Sequence, residues 1–113
     1  MTRPARVLVC GGRDFDARTR VYNALDALRP IGLIIHGGAN GADRLADDWA
    51  AWRCIERKVF KADWKKYGPS AGPRRNAEML RMLPDLVVAF PGGRGTADMV
   101  RRAKAAGVFV MER

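Results

Sequence analysis

The chain has 113 residues, 48% of them hydrophobic, and 21 Lys and Arg against 12 Asp and Glu give it a formal net charge of +9. That length suits a single domain over residues 1–113 with a core of its own, and the apolar content argues against disorder. No apolar run approaches the roughly 18 residues of a membrane span and the N-terminus lacks a signal-peptide pattern, so a cytoplasmic protein without membrane contact is expected.

Arg6 to Cys10 gives the first strand signal, a Val/Leu run ended by Gly11-Gly12. Asp16 then suits the cap of a helix whose Val21, Leu25 and Leu28 form an apolar stripe, stopped by Arg29-Pro30. A second strand covers Leu33 to His36 and ends in Gly37-Gly38. After Gly41, a helix carries Leu45, Trp49 and Trp52 at three- and four-residue spacing, which predicts core or dimer-contact positions for both tryptophans. Lys58 to Lys61 reads as a short third strand, and 63–72, rich in Gly, Pro and Lys, as a loop.

Pro73 fits the first turn of the next helix, where its missing amide donor is not needed, with Asn76, Met79, Leu80 and Leu83 on one face. Pro84 precedes a fourth strand, Leu86 to Phe90. A last helix over 96–106, with Val100 and Ala103 inward, is closed by Gly107 before a fifth strand, Val108 to Met111. Strands and helices that alternate, with continuously apolar strands, predict an α/β fold: a three-layer Rossmann-like sandwich around a mainly parallel sheet of about five strands.

Ligands of such sheets bind beyond the carboxyl ends of the strands. Three glycine loops fall there: Gly11-Gly12 followed by Arg13-Asp14, Gly37-Gly38 with Gly41 and Asp43, and Pro91-Gly92-Gly93-Arg94-Gly95-Thr96. The third precedes a helix whose opening amides and dipole favour an anion. Asp43 has two readings, an acceptor for ligand hydroxyls or a first-turn charge complementing the dipole. Arg74 and Arg75, placed in a first helical turn, suit a phosphate, and Asn76 suits hydrogen bonds that fix a loop. Trp64 is divided between stacking on a base and packing as a lid.

Neither GxGxxG nor a P-loop occurs, and His36 ends the second strand where an NAD site has an acid. His36 is the only histidine and has no evident catalytic partner, so a hydrogen-bonded structural role is expected. Cys10 and Cys54 show no metal-ligand spacing and are expected to be reduced thiols; no metal and no cofactor are implied. Positive charge attracts phosphorylated small molecules and nucleic acid alike, but basic and aromatic residues do not alternate regularly, which ranks nucleic acid second.

Four segments in order, VLVCGGRDF, IIHGGANGADRLA, KADWKKYGPSAGPRRNAEML and DLVVAFPGGRGTADMV, resemble the YspA-type, cpYpsA-related branch of the SLOG superfamily. The resemblance implies a Rossmann-like domain that binds nucleotides or nucleotide-derived ligands, with Lonely Guy phosphoribohydrolases and the DNA-processing protein DprA as wider relatives. Lonely Guy enzymes carry PGGxGTxxE and an upstream RKxxM. Here Arg75 and Met79 match the upstream motif with Asn76 in place of its lysine, and Met99 stands where the glutamate belongs. Methionine can neither activate water nor stabilise an oxocarbenium-like centre.

Binding of a nucleotide-derived ligand, as a sensor or ligand-handling module, is therefore the leading expectation. A nucleotide N-glycosidase with a displaced carboxylate is one alternative, its catalytic candidates being Asp43, Asp98 and Arg75. Single-stranded nucleic-acid binding of the DprA kind is another. Homodimers or higher oligomers are compatible with the two helix tryptophans and with the related enzymes, which form dimers.

Overall fold

The computed structural model describes residues 3–28 and 30–113. Five strands form one sheet: β1 (Ala5–Cys10), β2 (Ile31–His36), β3 (Glu56–Val59), β4 (Leu86–Ala89) and β5 (Phe109–Glu112). Their order is β3-β2-β1-β4-β5 and every pairing is parallel. The connections are α1 (Arg18–Asp26), α2 (Ala42–Trp52), α3 (Trp64–Tyr67) with a 3₁₀ turn at Gly68–Ser70, α4 (Ala71–Leu80) and α5 (Arg94–Ala105).

Strand alternation divides the core into two layers. Val7 and Val9 of β1 pack with Val21 and Leu25 of α1 and with Leu45, Ala46 and Trp49 of α2. Leu8 and Cys10, the alternate residues, face the opposite layer with Met79 of α4 and with Met99 and Ala103 of α5. Helices thus cover both faces, and the continuously apolar inner strands follow from that double burial. The chain winds outward from β1 to β3 on one side, then returns to place β4 on the other side of β1. The switch point between β1 and β4 opens a crevice at their carboxyl ends.

Pairing partners, more than local composition, set the strand limits. β2 starts at Ile31, two residues before the expected Leu33, because Ile31 is in register with Ala5 and is buried. β3 covers Glu56–Val59 instead of Lys58 to Lys61, since Leu33 to His36 pair with Glu56 to Val59. All four of its residues are exposed, and the charges of Glu56, Arg57 and Lys58 guard that sheet edge. β4 ends at Ala89 and β5 runs one residue later than expected.

Four expectations are corrected. Asp16 does not cap α1: Ala17 is the N-cap and contributes no side-chain bond. Arg29, part of the expected stop for that helix, lies outside the described residues. Of the two readings for Trp52 the core one is corrected: it is 65% exposed, stacked on Tyr22 with the Arg53 guanidinium also against its ring, while Trp49 is fully buried and donates its indole N–H to Asp26 at 3.0 Å. Residues 63–72 are largely helical, because the Asp63 carboxylate caps a short turn by accepting from the Lys66 amide at 3.0 Å. Leu83 does not join the inner face of α4; it follows the helix, at φ +54°, and is 71% exposed.

Because α4 begins at Ala71, Pro73 does occupy its first turn, but Arg74 and Arg75 come fourth and fifth and are clear of the opening amides. α5 begins at Arg94, two residues early, and Gly107, at φ +77°, reverses the chain beyond its end. No helix among the described residues is long and apolar enough to cross a membrane.

The contrast between the two helix tryptophans is measurable. Trp49→Ala empties a fully buried site and is expected to cost about 3–5 kcal/mol in urea unfolding, whereas Trp52→Ala is expected to cost about 1 kcal/mol. Equal losses would mean that Trp52 is buried in the protein as it exists in solution.

Candidate functional site

The β1 and β4 ends are tied together by backbone alone. Phe90 N donates to Cys10 O at 2.9 Å and Gly12 N to Pro91 O at 2.8 Å, continuing the ladder past the strands. The second glycine loop joins them, Ala42 N donating to Gly12 O at 3.2 Å. Little room is left for side chains: a Cβ on Gly92 would stand 2.2 Å from Thr96 Oγ1 and 2.6 Å from Gly12 N, and one on Gly41 (φ +80°) 2.1 Å from Gly12 O.

Gly93 and Gly95 differ. A Cβ at either would meet no atom within 4 Å, and neither has a left-handed φ, so packing does not demand glycine there. Gly93 is the N-cap of α5 and supplies no side-chain bond, and the first turn holds no acidic residue. The opening amides of α5 therefore have neither a capping oxygen nor a carboxylate against their dipole.

A cleft of about 1250 Å³ opens over these loops. Its walls include Gly11, Gly12, Arg13, Asp14 and Phe15 after β1, Asp43 of α2, Arg75 and Asn76 of α4, and Pro91 to Asp98 with Arg101. Trp64 forms part of the rim; its ring edge lies 3.1 Å from where a Gly72 Cβ would be, and it is 52% exposed. The Phe15 ring packs on Phe90 with centroids 5.3 Å apart.

Asn76, 3% exposed, joins the loops. Its Nδ2 donates to Gly95 O at 3.2 Å and to Asp98 Oδ2 at 3.0 Å, and its Oδ1 accepts from Arg75 Nε at 3.1 Å. Arg75 then donates through Nη1 to Gly37 O at 2.8 Å. Its guanidinium fills the space a Gly37 side chain would take, a Cβ there being 2.3 Å from Nη1. The α4 residues thus span from the loop after β2 to the one after β4.

Not every expected residue reaches the cleft. Gly37, Gly38 and Gly41 are not among the residues that line it; they shape the second loop, Gly38 and Gly41 at positive φ. Arg74 points away, with Nε 3.2 Å from Ser70 Oγ and its guanidinium over Tyr67. His36 is buried, accepts the Gly38 amide at Nδ1 (3.0 Å) and pairs through Nε2 with Asp47 at 2.8 Å. That pattern places the proton on Nε2 and makes the ring a brace for the loop. Phe15 and Arg101 were not singled out from sequence. Arg101 follows Arg94 by seven residues, a helical spacing that puts both on the side of α5 facing the cleft.

The carboxylates are committed. Asp43, 6% exposed, accepts from Gly37 N at 3.1 Å and Ala39 N at 3.3 Å. Burial raises its pKa despite His36, those amides and Arg75, which favour the ionised form. For Asp98, burial would raise the pKa, but the bonds from Asn76, Arg102 (2.8 Å) and Arg101 together outweigh it and hold the group below the ordinary 3.8. Met99 is fully buried between α5 and the sheet, so position 99 faces the core and Asp98 the cleft. Cys10 lines the floor; burial, reinforced by Asp43 and Glu112, pushes its thiol up to about 12, leaving it uncharged and inert. Among the described residues no three His, Cys, Asp or Glu side chains are grouped to hold a metal ion.

The sequence comparisons agree with this architecture. The model of the YspA, cpYpsA-related SLOG family (YAcAr) matches residues 5–67. The "Gene 61 protein" of Mycobacterium phage D29 is 43% identical over 118 aligned positions that cover 94% of each chain. The chain belongs to the YspA, cpYpsA-related SLOG family. Membership of this SLOG family fits a ligand-binding or nucleotide-related role in general. The family match takes in the first two glycine loops and Trp64, while the phage relative also spans α4 and the loop after β4.

The two acids have opposite pH signatures. The lowered pKa of Asp98 means its contribution is present above the ordinary carboxylate value and is lost as pH falls through the folded value. The raised pKa of Asp43 means stability is gained below its folded value and lost as pH rises through it. Asp98→Asn is expected to lower stability at pH 7 by about 1–2 kcal/mol, with the gap to wild type closing in acid. Asp43→Asn keeps an acceptor for both amides and is expected to be no less stable than wild type at pH 7. Denaturant unfolding from pH 7 to 3 checks both; a pH-independent gap for Asp98→Asn contradicts the assignment.

Proposed function

We propose that the cleft binds a nucleotide or nucleotide-derived ligand, with a phosphate on the opening amides of α5 and the base toward Trp64 and Phe15. The observation that carries this reading is the pair Gly93 and Gly95. Both stand at an uncapped helix start, both face open space, and neither is required by packing. A ligand that must touch the backbone gives these glycines a reason. Arg13, Arg75 and Arg94 on the cleft wall add positive charge, and the exposed face of Trp64 offers a stacking surface.

The hydrolase alternative is less well supported. It needs a carboxylate free to exchange a proton with substrate or water. Asp43 is engaged by two backbone amides, and Asp98 by Asn76, Arg101 and Arg102. A glutamate at position 99, as in the Lonely Guy motif, would enter the core. Binding, as a sensor or ligand-handling module, is the function this site favours.

Isothermal titration against the four ribonucleoside monophosphates tests the reading, with Gly93→Ala as the informative variant. Its added methyl meets no protein atom, so the thermal midpoint should match wild type while affinity for the bound nucleotide falls about tenfold, the equivalent of ~1.4 kcal/mol. A panel in which nothing binds, or a Gly93→Ala protein that binds as tightly as wild type, rejects the proposed phosphate position.

A further inference from the structure

The two edges of the sheet are built differently. β3, at one edge, presents Glu56, Arg57 and Lys58, charges that oppose pairing with another strand. β5, at the other edge, pairs with β4 alone. Val108, Phe109, Val110 and Met111 run along it before the first charge, and no lysine or proline interrupts them. Its register with β4 is regular, without a bulge to twist the edge away.

Backbone alternation decides which groups this edge leaves open. Arg113 N donates to Ala89 O at 2.8 Å, so Phe109, Met111 and Arg113 turn their amides and carbonyls toward β4. Val110 and Glu112 turn theirs outward. Val108 N, the outward amide before them, is already used by Ala103 O at 2.9 Å, and Glu112 O accepts from the adjacent Arg113 Nη1 at 3.2 Å. The side chains alternate as well. Val110 packs against the layer of Met99 and Ala103, while Phe109 shares the opposite face with Met111 and Arg113 and is 67% exposed.

We propose that β5 pairs antiparallel with β5 of a second copy of this chain, about a two-fold axis at Met111, so that two five-stranded sheets become one. The outward residues fix the register. Val110 lies opposite the partner's Glu112, and Glu112 opposite the partner's Val110, each pair exchanging two N–H···O bonds. Between them Met111 meets the partner's Met111. Phe109 stands opposite the partner's Arg113 in a non-hydrogen-bonded pair, where side chains approach most closely, so each exposed ring receives a guanidinium. This self-complementarity selects a second copy over a foreign peptide: one short strand supplies both the exposed ring and the cation that covers it. The contact is small and each copy carries a net charge of +9, so the association is of the weak, reversible class. Nothing in this pairing depends on what the cleft binds.

Sedimentation velocity of the full chain from roughly 10 µM to 1 mM reads the oligomeric state, and amide hydrogen exchange at both ends of that range reads the surface. A monomer–dimer equilibrium is expected, and salt should strengthen it by screening the repulsion between two cationic copies. The Val110 and Glu112 amides should exchange at least tenfold more slowly in the concentrated sample, while those of Phe109 and Met111, already bonded to β4, change far less. Glu112→Pro removes an outward amide and no bond to β4, and should weaken the dimer at least tenfold. Glu112→Gln keeps that amide and should dimerise like wild type. The exchange pattern is read on the unaltered chain, so it decides the matter even if Glu112→Pro fails to fold. A chain that stays monomeric to the top of the range overturns the proposal. So does a dimer without added protection at Val110 and Glu112, or a folded Glu112→Pro protein that dimerises like wild type.

Discussion

The hydrogen bond from Gly12 N to Pro91 O carries the β1–β4 pairing beyond the strands and into the loops. Gly92 must then lie against both Gly12 and Thr96, where no Cβ fits. With these backbones locked, α5 can start only at the mouth of the switch-point crevice, its opening amides turned toward the cleft. The position of the candidate site is thus a consequence of sheet order and strand pairing. Side chains refine it.

The chief refinement is the buried bridge through Asn76 and Arg75. Burying an amide and a guanidinium is unfavourable unless their hydrogen bonds are made, and here they are made to Gly95 O, Asp98 and Gly37 O. Removing either partner would leave the other side's acceptors unpaired. The same bonds hold two loops at a fixed separation, which is what a preformed binding cleft requires. Arg75 is therefore first a brace between loops, and its contact with a ligand would be made from that fixed position.

The sheet and its layers were legible because the inner strands are largely apolar and each leads into a glycine loop. The three glycine loops and the structural role of His36 were legible for the same local reasons. What escaped were features decided by distant partners. Trp52 fits an apolar helical stripe, yet its position lies at the end of α2, beyond the reach of the sheet, and it packs outward on Tyr22. Residues 63–72 carry loop-forming Gly and Pro, but Asp63 caps a turn that feeds directly into α4. That helical lead-in moved Arg74 and Arg75 past the first turn, away from the opening amides on which the phosphate expectation had placed them. The position matching the missing glutamate was read as a lost carboxylate; in the fold it is a core position, and the adjacent Asp98 faces the cleft already held by arginines.

The central claim is that the open backbone at the start of α5 receives a phosphate. Amide chemical-shift mapping by ¹H–¹⁵N NMR during titration with inorganic phosphate and then a nucleoside monophosphate examines those groups individually. The account predicts saturable shifts concentrated at Gly93, Arg94, Gly95 and Thr96, with the nucleotide adding shifts at Gly12 and the Trp64 indole. Shifts centred on other surfaces, or a first turn of α5 that does not respond to either anion, would contradict it.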